Sequence, residues 1–287
     1  MGKKRFFDDR LKYLSFIQNT SEKRAISEQL APHIASMEQN RTFLRVLDAG
    51  TGDGTVKSNV IKTFHKYHPY TSLLITGKEI SYEDLKNTLE KMPDRFVEHP
   101  NLLVTMTNVK FAELGHIESS NKIKGKNVKS YTLVLKDDNS FDFHAQINKL
   151  NSFIKKNWGI EIDNKSRTSY ANPCIIRIYR EDHKRYIEPF IDNDYKNNNY
   201  DLIIASQAYR AASEVRTKVN NVIAPLMRLL NKSGKLLVTH SCGGDTVEKI
   251  LKVAWKDKNP FPNKAKDIIE FLKNNPVGEN NKYVYSK

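Results

Sequence analysis

The apolar positions of this chain change period several times, and each change marks an element. Phe7, Leu11, Leu14 and Ile17 lie on one stripe at helical spacing, and Ile26, Leu30 and Ile34 lie on a second. Asn19-Thr20-Ser21-Glu22 between them is a polar break able to cap the second helix. A short extended run, Arg45-Val46-Leu47-Asp48, then meets glycine at alternate positions, Gly50, Gly52 and Gly54. Helical spacing resumes at Val56, Val60, Ile61 and Phe64. A strand, a glycine-rich turn and a helix in that order seat nucleotide-like ligands.

Further along, 71–79 reads as a second strand ending in the acid Glu79. Ser81 opens a helix carrying Tyr82, Leu85 and Leu89, and 101–106 reads as a third strand followed by Thr107-Asn108-Val109. The fourth strand spans 200–209, a helix spans 211–230 with its stop at Lys232-Ser233-Gly234-Lys235, and the fifth strand is 236–240. Ser241-Cys242-Gly243-Gly244-Asp245 is a turn, and 246–255 is helical. The chain then breaks at Pro260, Pro262 and Pro276, with at most one more strand near 282–285.

Residues 116–196 interrupt this alternation. They begin rich in Lys and Asn at 121–130 and continue with a strand-like run at 131–135. A helical face follows at Ile147, Leu150, Phe153, Ile154 and Trp158, and then a strand at 174–179. The expected fold is therefore α/β, a Rossmann-like sheet with helices on both faces. Residues 1–40 form an N-terminal helical cap, and 41–115 with 197–287 form the core. Residues 116–196 form an inserted α+β subdomain near the carboxyl edge of the sheet. That insertion is either a lid or wall over the substrate, or a remote decoration or oligomer contact.

A hydrophobic content of 39% is enough for a core. No apolar run approaches the ~20 residues that span a bilayer, and the N-terminus turns acidic at Asp8-Asp9, too early for a secretory signal. Cys174 and Cys242 suit neither a disulfide framework nor a cysteine zinc site. No metal is expected, and a cytoplasmic protein is. The net charge of +14 fits either a polyanionic partner or a Lys-rich surface. Lys far outnumbers Arg and no aromatic-interleaved Arg run occurs, which favours the surface reading.

Val46-Leu47-Asp48 followed by G-x-G-x-G resembles motif I of the class I S-adenosylmethionine-dependent methyltransferases. The dinucleotide fingerprint needs Gly at 55, where Thr55 stands. Asp48 and Asp53 flank the turn, which suits a cationic ligand better than a pyrophosphate. The resemblance implies S-adenosylmethionine as cofactor and S-adenosylhomocysteine as product. It places Asp48, Gly50, Thr51 and Gly52 in the bend, Glu79 on the ribose hydroxyls and Asn108 at the adenine. Val109 and Ser206 complete the cofactor set.

A narrower resemblance, to histamine N-methyltransferases, lies in Asn19-Thr20-Ser21-Glu22, Ile204-Ala205-Ser206-Gln207-Ala208-Tyr209 and Ser241-Cys242-Gly243-Gly244. That family holds its substrate with a Glu and a Gln in the first two segments, which correspond to Glu22 and Gln207. It implies a small polar substrate, an amine among the options, near Glu22, Gln207, Tyr209, Arg210 and His240. Histamine itself is not implied. Glu22 is equally an ordinary first-turn acid. His240 and Tyr209 are the candidate catalytic groups, although His240 also fits a strand-end histidine bonded locally. Pro173-Cys174 invites a cytosine-C5 reading but lies inside the insertion, so Cys174 is expected to be a buried strand residue. Two other classes stand beside the small-molecule enzyme: a nucleic-acid methyltransferase clamping its substrate with the basic insertion, and a non-catalytic S-adenosylmethionine-binding protein.

Overall fold

The computed structural model describes residues 22–38, 41–117, 120–162, 168–191, 199–241, 243, 261–278 and 283–286. The helix expected at 6–17, Cys242 and the helix expected at 246–255 lie outside the described residues.

Helix α1 (Glu22–Ala35) leads into β1 (Phe43–Ala49), α2 (Thr55–Tyr67), β2 (Ser72–Lys78), α3 (Tyr82–Glu90), α4 (Pro93–Glu98) and β3 (Leu102–Thr107). Ser81 caps α3 by accepting from the Asp84 N–H. A 3-10 turn at Phe111–His116 and a small hairpin, β4 (Lys122–Ile123) with β5 (Lys126–Asn127), precede β6 (Lys129–Leu135). Next come α5 (Ser140–Asn148), α6 (Leu150–Asn157), a second hairpin of β7 (Ile160–Ile162) and β8 (Thr168–Tyr170), and β9 (Cys174–Arg180). A short helical turn, α7 (Lys184–Ile187), precedes β10 (Tyr200–Ser206). The core then closes with α8 (Val215–Lys218), α9 (Ala224–Met227), β11 (Leu230–Thr239) and α10 (Ala265–Asn274).

Seven strands form one sheet in the order β11-β10-β1-β2-β3-β9-β6. The five strands from β11 to β3 are mutually parallel, and β9 runs antiparallel to β3. This is a Rossmann-like, mostly parallel α/β sheet. Its inner strands β10, β1, β2, β3 and β9 are buried on both faces, as continuous apolar runs require, while the edge strands β11 and β6 are partly exposed. Leu44, Val46, Ile75 and Val104 face α1, α2 and α3, packing on Leu30, Val60, Phe64 and Leu85. Leu47, Ala49, Ile203 and Ala205 face the opposite layer, packing on Val222 and Leu226.

The insertion is built differently from expectation. Its strands β6 and β9 are parallel to each other, joined through α5 and α6, and β9 hydrogen-bonds to β3 with Val104 opposite Ile178. The segment therefore extends the central sheet, with Phe143, Leu150, Ile154 and Ile176 in the same core as β1 to β3. Among the described strands of the insertion, the two hairpins stand outside the sheet. Among the described residues, the strand that runs antiparallel to the central sheet, β9, comes from the insertion.

The helix expected from Ala211 begins at Val215 and passes through a π-helical turn at Val219–Ile223. Pro225 follows that turn. Proline offers no N–H to the preceding turn and crowds it, and a wider turn relieves the crowding. Strand β11 starts at Leu230 rather than at 236, with a register shift opposite Tyr200 and Leu202. A Cβ on Gly234 would lie 2.5 Å from the Tyr200 carbonyl, so only glycine lets the strands come this close.

His99 lies before β3, at the amino end of the parallel strands. It is 0% exposed, with Nε2 at 3.1 Å from the Thr71 carbonyl and Nδ1 at 3.2 Å from His65 Nδ1. Burial, reinforced by His65, pushes its pKa down from 6.5 to about 4. The unfolded chain takes up a proton below 6.5 that the folded chain refuses until about 4. Stability is therefore full above that window and falls as pH drops through it. The urea midpoint is expected to fall between about pH 7 and about pH 5, and by less in His99→Gln.

Candidate functional site

Several of the sequence-predicted site residues lie in or just after the carboxyl ends of parallel strands. Asp48 is in β1, Glu79 follows β2, Asn108 follows β3, Ser206 ends β10 and His240 follows β11. The chain leaves β1 toward β2 on one side, while β10 flanks β1 on the other. The crevice between β1 and β10 is thus a topological switch point, where open α/β sheets bind ligands.

The glycines of the bend differ in what they make room for. All three have positive φ: 112° at Gly50, 57° at Gly52 and 78° at Gly54. A Cβ on Gly54 would lie 2.7 Å from the Thr88 backbone, so this glycine serves packing against α3. A Cβ on Gly52 would meet nothing within 4 Å, which leaves its face open to a ligand. Thr88 Oγ1 donates to the Gly52 carbonyl at 3.0 Å, and Lys91 Nζ donates to the Asp53 carbonyl at 2.7 Å. Neither side chain belongs to a motif, and sequence reasoning missed both.

Glu79 is held in place. Its Oε1 accepts from the Ile80 and Ser81 N–H groups at 2.8 Å each, and its Oε2 accepts from the Gly52 N–H at 2.9 Å. Each carboxylate oxygen has two lone pairs. A diol arriving here has the remaining lone pair of Oε2 and whatever Gly52 releases.

Asp48 is 1% exposed, and its Oδ2 has no hydrogen-bond partner among the described residues. Burial pushes its pKa up to about 6, and Glu79 and Asp53 push the same way; Lys57 and a hydrogen bond from Thr51 pull it down. A buried carboxylate oxygen without a hydrogen-bond partner in β1, and an open glycine face in the bend that follows it, fit the cationic ammonium or sulfonium of S-adenosylmethionine. They do not fit a pyrophosphate.

Asn108 is engaged differently from the expected adenine contact. Its Nδ2 donates to the Asn172 carbonyl at 2.9 Å and its Oδ1 accepts from the Cys174 N–H at 2.8 Å. The side chain pins the β3–β9 junction, because the antiparallel strand needs its first backbone groups satisfied. The Val109 N–H faces Thr107 Oγ1 at 3.5 Å. Cys174 is 0% exposed, and burial pushes its thiol up to about 12, so it stays protonated and poorly nucleophilic.

The first turn of α1 reaches over the bend. Lys23 pairs with Asp53 at 2.5 Å, and Gln207 Nε2 donates to Glu22 Oε1. The Gln207 backbone is left-handed at φ 50°, a conformation uncommon outside glycine. The structure thus brings together Glu22 and Gln207, which lie far apart in sequence. Arg210 is exposed.

Tyr209 and His240 lie ring to ring at 5.8 Å. His240 Nε2 is 2.8 Å from the Asn263 carbonyl, which can only accept, so the ring hydrogen sits on Nε2. Nδ1 then carries a lone pair; it is buried, with no partner among the described residues. The Tyr209 Oη is likewise buried without a partner. Burial pushes its phenol up to about 12, so it remains a proton donor. Lys218, 1% exposed, donates to the Ala211 carbonyl at 2.6 Å and lies 5.5 Å from the Tyr209 ring centre.

Among the described residues, no group of three or more His, Cys, Asp or Glu could hold a metal ion, and no helix is long and apolar enough to cross a membrane. No family model matches the chain, and no curated protein matches it. Among solved structures, the chain is similar to the rRNA methyltransferase AviRa from Streptomyces viridochromogenes. The identity is 10%, the match covers 74% of this chain and 71% of that one, and the TM-score is 0.27.

Proposed function

We propose that this chain is an S-adenosylmethionine-dependent methyltransferase whose acceptor sits between Glu22, Gln207, Tyr209 and His240. The observation that carries the reading is the buried Asp48 Oδ2, without a hydrogen-bond partner among the described residues, at the carboxyl end of β1, followed by the open face of Gly52 at the switch point between β1 and β10. Asp48 and the bend would hold the cationic part of the cofactor, and Glu79 its ribose. When bound, the cofactor supplies an activated methyl group for in-line displacement.

This chain's residues handle the acceptor. Glu22 accepts from a substrate N–H, and Gln207 orients that carboxylate by donating to it. His240 Nδ1 takes a proton from the acceptor, since the Asn263 carbonyl fixes the hydrogen on the other ring nitrogen. Tyr209 donates its phenolic hydrogen to the acceptor's polar group.

Two acceptor classes fit. The Glu22–Gln207 pair favours a small amine or amide-like group. The net charge of +14, with Lys122, Lys124 and Lys129 exposed along the β4–β5 hairpin and β6, favours RNA. Methyl incorporation from labelled S-adenosylmethionine into an amine panel and into RNA, at low and high salt, decides between them. RNA methylation that collapses with salt selects the second class, and salt-independent amine methylation selects the first. In either case His240→Gln lowers turnover by roughly 100- to 10,000-fold, the usual contribution of a general base, and leaves cofactor affinity unchanged. Unchanged turnover removes His240 from the chemistry.

A further inference from the structure

Lys57 is a buried charged residue whose part in the site so far is its pull on Asp48. It is the third residue of α2 and is 0% exposed. Its Nζ donates to the thioether of Met106 at 3.4 Å, a weak acceptor for an ammonium. A Cβ on Gly77 would lie 2.5 Å from that Nζ and 2.7 Å from Thr51 Oγ1. Strand β2 therefore gives up a side chain where the ammonium sits.

Strand register shows what this arrangement serves. Asp48 pairs with Gly77, and Gly77 pairs with Met106, so the three form one row across β1, β2 and β3. Paired residues in a parallel sheet point to the same face. That face is the one α2 covers, since Val46, Ile75 and Val104 pack there with Val56 and Val60. Lys57 lies over the row that begins with Asp48. A lysine is almost never fully buried without a partner charge.

The groups facing this pair are few. Glu79 and Asp53 add negative charge near Asp48, and Thr51 hydrogen-bonds to it. Asp53 is itself paired with Lys23 and lies near Lys91, and Lys78 faces Glu79 and Glu113. Lys57 is left as the nearby cation that favours an ionised Asp48, and Asp48 as the acid that favours a protonated Lys57.

We propose that Lys57 is a positioning residue whose ammonium holds the Asp48 carboxylate ionised beneath the glycine bend, ready for the cationic donor. This rests on the cofactor reading above. Burial pushes Lys57 down to about 8 and Asp48 up to about 6, so the pair is charged in the interval between them. Donor affinity should fall on the acid side as Asp48 protonates.

The test is a carboxyl-carbon NMR titration of Asp48 in the cofactor-free chain, beside S-adenosylmethionine titrations across pH, for the unmodified protein, Lys57→Met and Lys57→Arg. The Met variant should move the Asp48 midpoint and the acid limb of donor affinity upward together, weakening binding near neutrality on the order of tenfold. The Arg variant should restore both. If Lys57→Met does not fold, the unmodified protein still decides, because Asp48 must show a second inflection as Lys57 loses its proton. A single inflection, or an acid limb unmoved in Lys57→Met, overturns the proposal. A coupled pair in a chain that binds no S-adenosylmethionine at any pH overturns the cofactor reading instead.

Discussion

Asp48→Asn weakens S-adenosylmethionine binding by roughly 10- to 150-fold, because a hydrogen bond to a charged group contributes about 1.5–3 kcal/mol. The substitution keeps the shape of the side chain and removes the charge that its buried Oδ2 would present to the cofactor. It also strands Lys57 in the interior beside Met106. Removing one member of a buried ion pair in direct contact costs about 3–5 kcal/mol when the other stays charged, and Lys57 acts on Asp48 without such a contact. Lys57 has an escape, since its depressed pKa lets it shed its proton, so the cost should fall below that range. Asp48→Asn combined with Lys57→Met should recover stability without recovering affinity. Calorimetry with the cofactor, paired with thermal melts, separates the two effects. Unchanged affinity in Asp48→Asn would remove Asp48 from the site.

The second large effect divides the glycines. Gly54→Ala puts a methyl group 2.7 Å from the Thr88 backbone at φ 78°. Forced contact in a packed region costs about 1–3 kcal/mol, and the left-handed conformation adds about 1–2 kcal/mol. For a chain of this size the melting temperature should drop by roughly 5–15 °C. Gly52→Ala meets open space, so its stability cost is the left-handed conformation alone, about 1–2 kcal/mol. Its larger effect should be on cofactor binding, because the new methyl group projects onto the ligand face. Thermal melts and cofactor titrations of both variants check this. Equal melting temperatures would mean that the bend does not pack on α3 as described.

The core sheet was legible because buried parallel strands write themselves as apolar runs. Ser72–Lys78, Leu102–Thr107 and Tyr200–Ser206 lie within a few residues of their expected bounds. The insertion was misjudged for a physical reason. The run in Cys174–Arg180 announces a buried strand, but nothing in a run names its neighbour, and the neighbour is β3. For the same reason Asn108 read as a free amide at a strand tip, when its partners at Asn172 and Cys174 lie far along the chain. The Glu22–Gln207 contact was within reach only through a family resemblance. Thr88, Lys91 and Lys57 left no signal, because support for a loop comes from whichever helix lies beside it.

The most direct measurement is titration calorimetry of the intact chain with S-adenosylmethionine, S-adenosylhomocysteine and NAD. The predicted result is saturable one-to-one binding of the first two, lost or strongly weakened in Gly52→Ala, with no heat from NAD. Binding of NAD, or no binding of either S-adenosyl compound, would contradict the account at its base.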